Sequence, residues 1–566
     1  MLTAVTSAQD HRRGDRVAAI AGGVAGAVFF AWIAGARVLD PTSIDWLHKG
    51  DWVPHYFGWH YFRVEPWHWP PGAVHGYYAP LGTSIGLTDS IPLAAYLLKP
   101  FAAWLPAPAQ YLGPWLLACF ALQGALGARL VARFVADPWV QWLGALLFVL
   151  LPTLLIRVGH AALCAHWLIL WALLLATRPG PRRVAPPGWT MLGLVAGLVQ
   201  PYLAAMVLGV LAGAALTADG VALPRRLAAL GAALTASLAG WWVSGLFLLS
   251  GGGSLAAGGL GYYSMNLLSF VSPEEWSAVL PRLPWATTGQ PYEGFQYLGL
   301  GLLLLLAVAI ALRLTTRSHG GTRVVSPGVL ATCLVMTAFA VSPVVTFGGR
   351  VLVNLDGPWA APFALFRSSG RFAWPLVYLG ITWMVVTVAR ALPARRATAV
   401  LALAVVVQAV DLHGAHRLRH DAARDPAFHT WLNPFDDPRW QVIAPAYTHL
   451  ALLPPPQCGV SPVPYEAAIG LTAGHGLTIN AGVVARRDEQ ARARYCEALS
   501  QAIGTATLAD DTLYVVSAQA APEVAATGGD RVRCGEIDGV WICSTAAAHA
   551  RWSDRAGFNR PAAPAP

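Results

Sequence analysis

Side chains able to do chemistry gather in a few stretches of an otherwise apolar chain. The richest are GDWVPHYFGWHYFR, residues 50 to 63, and YYAPLGTSIGLTDSIPL, residues 77 to 93. They carry Asp51, Arg63 and Asp89, with Asp40, Asp45 and Glu65 nearby and Trp46, Trp52, Trp59, Trp67 and Trp69 interleaved. LLIRVGHAALCAHWLIL adds Arg157, His160 and His166, TTGQPYEGFQYLGLG adds Glu293, and FRSSGRFAWP adds Arg367 and Arg371. A carboxylate takes a proton from a hydroxyl or holds a divalent ion, and guanidinium forks match phosphate oxygens. Each residue alone has a plainer use: tryptophan favours the headgroup region, arginine snorkels to lipid phosphate, and histidine at a helix end makes a structural hydrogen bond. Asp89 resists that reading. It opens TDSIPLAAYLLKPFAAW, an apolar segment too short to span, and a carboxylate at that depth is costly unless paired or used.

The elements that must position these groups follow from composition. A chain of 566 residues that is 56% hydrophobic and 12% charged lies outside the range of soluble domains. Apolar runs recur from residue 17 to residue 411, and a helix crossing hydrocarbon needs roughly 20 such residues. The first, VAAIAGGVAGAVFFAWIAGA at 17 to 36, follows Arg12, Arg13 and Arg16. Although AGA at 34 to 36 offers a cleavage site, the run exceeds the roughly 7 to 15 residues of a signal-peptide core and reads as an uncleaved anchor.

Short cytoplasmic loops collect Lys and Arg, so an inside N-terminus puts residues 37 to 109 outside. Spans near 110 to 134, 138 to 156 and 161 to 177 return Arg129, Arg133 and RPGPRR inside. Residues 189 to 216 taken as one span would invert everything after them. A break at Gln200-Pro201 into two half-helices keeps Arg225 and Arg226 inside. Spans near 227 to 249, 296 to 312, 327 to 346, 372 to 390 and 398 to 411 leave RLTTRSHGGTR and ARALPARR inside. The expectation is a mostly α bundle of about ten spans plus the half-helices.

From Asp411 the composition changes, and residues 412 to 566 read as an α/β domain outside the membrane, with strands such as DTLYVVSA and GVWICS. Four cysteines fall there, Cys458, Cys496, Cys534 and Cys543, an even number suited to disulfides in an oxidising compartment. Of the three connectivities, Cys534 with Cys543 and Cys458 with Cys496 is the expected one. A zinc site is the rival, without C-x-x-C spacing or paired histidines to support it. No P-loop is present, and GGGSLAAGGLG at 251 to 261 follows a membrane helix and reads as a flexible external loop. The net charge of +9 is spread over inner loops and both chain ends, which is topology and not a nucleic-acid site.

The stretches GDWVPHYFGWHYFR, TDSIPL, RVGHAALCAHW, YEGFQYLGLG, FRSSGRFAWP and NAGVVARRDEQARARYC resemble the motifs of a bacterial family of polytopic membrane proteins, domain of unknown function 6311. The wider layout, with a large first external loop and an external C-terminal domain, resembles the GT-C class of integral-membrane glycosyltransferases. That second resemblance implies a GT-C-like membrane domain over 1 to 411, with catalytic candidates in 37 to 109, and a periplasmic domain over 412 to 566. It implies transfer of a sugar from a polyprenyl-phosphate donor to an envelope glycan or lipid acceptor at the outer face of the bacterial inner membrane. Asp51 is then the first choice for the catalytic acid, with Asp89 the second, Asp40 and Asp45 as alternatives, and a divalent cation (Mg or Mn) on Asp51 and Asp89 left open. Arg157, Arg367 and Arg371 would neutralise lipid phosphate with help from His160, and Trp59, Arg63, His166 and Glu293 would line the substrate. A lipid-linked sugar flippase or other transporter, and an envelope assembly scaffold, are the competing readings.

Overall fold

Inside a bilayer every backbone amide and carbonyl must be paired within the protein, and a helix does this along its own length. The computed structural model describes residues 2–248, 258–315, 324 and 326–557 and is accordingly mostly helical. Most of the glycine-rich run at 251 to 261 and of the basic stretch at 313 to 323 lies outside the described residues.

Among the described residues, four helices are long and apolar enough to cross a membrane: Gly14–Leu39, Leu112–Ala132, Leu223–Val243 and Ser369–Ala391. Two bent pairs, Pro138–Val149 with Pro152–Gly159 and Ala394–Asp411 with His413–Ala422, raise the number to six if each is one span. Four more apolar helices, Ala161–Ala176, Pro201–Leu216, Leu300–Thr315 and Pro327–Val341, fall where the hydropathy reading puts spans or half-helices, but at 10–17 residues they are short. Their ends explain why: Pro327–Val341, for instance, begins at a proline and stops at Ser342, whose φ of 71° no continuing helix allows. The helix Pro186–Val199 likewise ends at Gln200, which is extended, and its side-chain carbonyl accepts from the Tyr202 amide at 3.3 Å to start Pro201–Leu216. Pro201 brings no N–H to continue the first helix, so a break stands at Gln200-Pro201.

The chain forms two compact units. Met1–Ser43, Tyr111–Trp241 and Ala256–His429 make the first, and Ile44–Gln110, Trp242–Leu255 and Thr430–Pro566 the second. In the first, the opening helix packs on Leu112–Ala132 through glycines: a Cβ on Gly22 would lie 2.6 Å from the Gly124 carbonyl, and one on Gly26 only 2.1 Å from that of Phe120. Small residues four apart let two apolar helices touch backbone to backbone, where lipid offers no hydrophobic drive. The opening helix bends at Gly35 (φ 74°), and the freed carbonyls of Trp32 and Ile33 accept from the Arg424 guanidinium at 2.8 and 3.4 Å.

The second unit is built on a five-stranded sheet. Strand His449–Leu453 pairs in parallel with Thr478–Ile479 on one side and Thr512–Val516 on the other, and Val540–Thr545 and Val532–Ile537 extend it antiparallel. The chain at residues 76 to 79 joins its edge: Ile479 donates to the Gly76 carbonyl and Ala79 donates to that of Ile479, both at 2.8 Å. Disulfides join Cys458 to Cys496 and Cys534 to Cys543, the latter pair directly opposite on neighbouring strands with Cα atoms 4.1 Å apart.

The two cross-links span 38 and 9 residues. By loop-closure entropy the longer restrains the unfolded chain by about 1 kcal/mol more. Replacing Cys458 and Cys496 by serine is therefore expected to lower denaturant stability more than replacing Cys534 and Cys543; the reverse order would contradict this account.

Candidate functional site

In the second unit, the helix Trp52–Val64 follows Asp51, which occupies its N-cap position and is exposed. The helix is aromatic on almost every side, and its residues from Val53 to Trp59 are buried. Trp59 donates its indole N–H to the Ala109 carbonyl at 3.0 Å. Arg63 donates to the carbonyls of Ala102, Leu105 and Pro106 at 3.0–3.3 Å, closing the end of the short helix Lys99–Trp104. Glu65 accepts from the amides of His75 and Gly76 at 2.9 and 2.6 Å. The polar atoms of Trp59 and Arg63, read from sequence as substrate contacts, are thus turned to main chain.

Asp89 sits on a tight turn packed against that helix. Thr88 and Ser90 hydroxyls lie 2.8 Å apart, and Ser90 donates to the Pro54 carbonyl at 3.3 Å. Gly58 makes the approach possible, because a Cβ there would fall 2.2 Å from the Thr88 hydroxyl oxygen. Asp89 and Ile91 both have left-handed backbones, with φ 54° and 51°. Asp tolerates this region, but a β-branched Ile does not, and each such residue costs on the order of 1 kcal/mol or more. Buried packing therefore holds a half-buried carboxylate in a strained turn.

In the first unit, three of the charged stretches meet. Glu293 ends the one-turn helix Gln290–Glu293. Its Oε2 accepts from Arg157 Nη1 at 3.1 Å and from Arg371 Nε at 2.7 Å, and its Oε1 accepts from Arg371 Nη2. Arg157 also donates to the Tyr292 carbonyl and lies 4.5 Å from the centre of the Tyr292 ring. Arg371 lies 4.6 Å from the centre of the Tyr202 ring. Gly370 allows the stretches to close up, since a Cβ there would be 2.8 Å from the Glu293 carbonyl oxygen. Burial pushes the Glu293 carboxyl up, but Arg371, Arg157 and more weakly His160 outweigh it and hold the group down at about 2. Two guanidiniums around one carboxylate leave a net single positive charge in a buried setting.

His166 is fully buried, hydrogen-bonded to the Tyr378 hydroxyl and 4.0 Å from the Trp374 ring centre. Arg367 is half-buried beside the Tyr263 ring. Asp40 accepts from the Thr42 amide and hydroxyl, both at 2.8 Å, and Asp45 opens a single 3-10 turn. The candidates divide between the units: Asp45, Asp51, Trp59, Arg63 and Asp89 belong to the second, while Asp40, Arg157, His160, His166, Glu293, Arg367 and Arg371 belong to the first. Among the described residues no three His, Cys, Asp or Glu side chains gather as a metal-holding group. Asp51 and Asp89 are the two carboxylates that would hold a divalent cation, which in such sites completes its shell with water and substrate oxygens.

Residues 23–413 match the family described as "Domain of unknown function (DUF6311)". The chain belongs to this family. The DUF6311 C-terminal domain matches residues 439–545, which contain all four disulfide cysteines. No curated protein matches the chain. The DUF6311 match ends two residues past Asp411, the last residue of the final expected span, to which the sequence assigned no role. Asp411 is 1% exposed and accepts from the Ser277 hydroxyl, from the Tyr297 hydroxyl at 2.7 Å and from the Leu300 amide at 3.0 Å. It therefore caps the first turn of Leu300–Thr315 from another helix, assisted by Gln408, which bonds the Leu298 carbonyl and the Leu302 amide. The available signal was an acid at the end of an apolar run, costly unless partnered.

The Glu293 carboxyl, held below its unfolded value, stabilises the fold above that value, near 4.5, and the contribution fades as pH falls toward about 2. Glu293→Gln leaves two buried guanidiniums without their anion and is expected to cost about 3–5 kcal/mol at neutral pH. It should also flatten the acid limb of a stability-versus-pH curve. An unchanged acid limb would show that Glu293 is not the titrating group.

Proposed function

We propose that this protein is an integral-membrane glycosyltransferase of the GT-C type, transferring sugar from a polyprenyl-phosphate donor to an envelope glycan or lipid acceptor. In this reading a bundle of about ten spans sits in the bacterial inner membrane and the second unit faces the periplasm. Two disulfides in that unit support an oxidising location. The observation that carries the reading is the strained turn at Asp89: a left-handed acid and a left-handed isoleucine, kept in place by buried hydroxyls and by Gly58. Strain of this kind persists where a side chain must be aimed.

The chemistry asked of the carboxylate is simple. Asp89 takes the proton of an acceptor hydroxyl as its oxygen attacks the anomeric carbon. The bond from that carbon to the lipid phosphate oxygen breaks, and the phosphate leaves with the electron pair. Asp51, at the head of the helix on which the Asp89 turn rests, is the second acid and orients the acceptor. Within the first unit Arg157 and Arg371 are occupied by Glu293, so their charge acts as a clamp.

A second reading, translocation of a lipid-linked sugar, has the broken helix at Gln200 in its favour, since interrupted helices build transporter sites. Purified protein supplied with radiolabelled polyprenyl-phosphate sugar and envelope glycan separates the two. Transfer predicts labelled glycan from wild type and about 100-fold or greater loss in Asp89→Asn, the scale of a missing general base. Asp51→Asn should lose less. Equal product from Asp89→Asn and wild type would remove Asp89 from the chemistry, and translocation without a new glycosidic bond would favour the transporter.

A further inference from the structure

In the second unit, the chain at 75 to 87 and the chain at 484 to 491 line a partly open cavity of about 210 Å³. This is room for a small polar group and the waters around it. One wall comes from YYAPLGTSIGLTDSIPL and the residues before it, the other from NAGVVARRDEQ. Two main-chain bonds set the walls against each other: Ala79 donates to Ile479, and Ala485 to Leu87, both at 2.8 Å.

The lining is polar in a particular way. Thr83 is buried, and its hydroxyl has no hydrogen-bond partner. Tyr78, on a left-handed backbone with φ 65° and only 3% exposed, likewise presents a hydroxyl held by no hydrogen bond of good geometry. The Tyr78 hydroxyl lies against the Arg487 side chain, whereas a buried hydroxyl without a partner, as at Thr83, is uncommon in folded proteins and calls for an explanation. Around them stand Arg486 and Arg487, with His75 and one acid, Asp488. Asp488 directs its carboxylate to the amides of Gln490 and Ala491, both at 2.9 Å, as the cap of the helix Glu489–Gly504. Glu489 pairs with Arg487 and Arg492 at 2.6 Å. The segment thus sets three guanidiniums, Arg486, Arg487 and Arg492, against two carboxylates, Asp488 and Glu489, and keeps a net positive charge beside the cavity.

We propose that this cavity binds a phosphate ester, with Arg486 and Arg487 on its oxygens and the Thr83 and Tyr78 hydroxyls donating to it. Guanidinium forks suit tetrahedral oxyanions, and bonds to an ionised acceptor are about twice as strong as neutral ones. The ester has two possible sources, a lipid headgroup or a soluble phosphomonoester. Leu248, which also lines the cavity, follows the end of the helix Leu223–Val243 by five residues. At about 3.6 Å per residue the cavity wall is tethered within roughly 18 Å of that helix end, which brings a lipid headgroup into range. The glycosyl-transfer reading uses none of these residues, so the two proposals fail separately.

The test uses the full-length protein in phosphatidylcholine nanodiscs, with two probes: radiolabelled glycerol 3-phosphate in solution, and phosphatidic acid doped into the disc, scored by its retention after purification. Saturable binding of either probe is expected, with glycerol unable to compete. Binding of glycerol 3-phosphate alone assigns a soluble ligand, and retention of phosphatidic acid alone assigns a headgroup. R486Q/R487Q should weaken the responding probe at least tenfold, and Thr83→Val several-fold with an unchanged unfolding midpoint. Should the double variant fail to fold, Thr83→Val decides. Neither probe binding above glycerol, or Thr83→Val binding as wild type, would overturn the proposal.

Discussion

A carboxylate shared by two buried guanidiniums ties together segments of the first unit that lie far apart in sequence. Arg157 lies in the second half of the bent pair Pro138–Val149 and Pro152–Gly159, Glu293 ends a single helical turn, and Arg371 lies in the first turn of Ser369–Ala391. Burying any one of these charges alone would be prohibitive, and burying all three together is tolerable because each guanidinium fork finds oxygens or a ring face. The arrangement fixes where three helices begin and end, and so where the rings of Tyr202, Tyr292 and Trp374 must stand. Asp411 does related work at another junction, supplying from one helix the oxygen that the first turn of another lacks.

The second unit obeys a different logic. Its core is an ordinary small sheet, yet the segment that completes the sheet edge comes from hundreds of residues earlier. Tyr77 pairs there with Ile479, and its hydroxyl accepts from the Val483 amide at 3.0 Å. Tyr61 lies 2.7 Å from the Thr472 hydroxyl, and the His60 ring N–H donates to the Ala473 carbonyl at 3.2 Å. Tyr61 and His60 of the aromatic stretch are therefore fitted to one helix of the tail, Tyr465–His475, and its exit.

Much of this was legible in the sequence where the physics is local. Hydropathy located the apolar helices, and a proline after a polar glutamine marked the break at Gln200. Charged side chains beside apolar runs singled out Arg157, Glu293 and Arg371, though as contacts to lipid phosphate and substrate and not as partners of one another. What stayed hidden depended on main chain. Arg63 and Trp59 bond carbonyls between 102 and 109, and a carbonyl leaves no mark in a sequence. The left-handed turn at Asp89 and Ile91 was hidden for the same reason, since no glycine advertises it. Asp411 closes the last expected span, but its role stayed hidden because its partners, Tyr297 and the Leu300 amide, lie more than a hundred residues away.

The division of the second unit along the chain also sets a clock. Its first part, Ile44–Gln110, leaves the ribosome roughly 320 residues before its last part, Thr430–Pro566. At about 5–20 residues per second the loop waits on the order of 15–60 s for the tail that completes its sheet. Throughout that interval the main chain around Gly76 and Ala79 has no strand to pair with, and the aromatic face of Trp52–Val64 lacks the helix that covers Tyr61. The native pairing is thus an event of long sequence separation, and the nascent chain passes through a state in which its most aromatic helix needs temporary cover, from the membrane surface or from a chaperone.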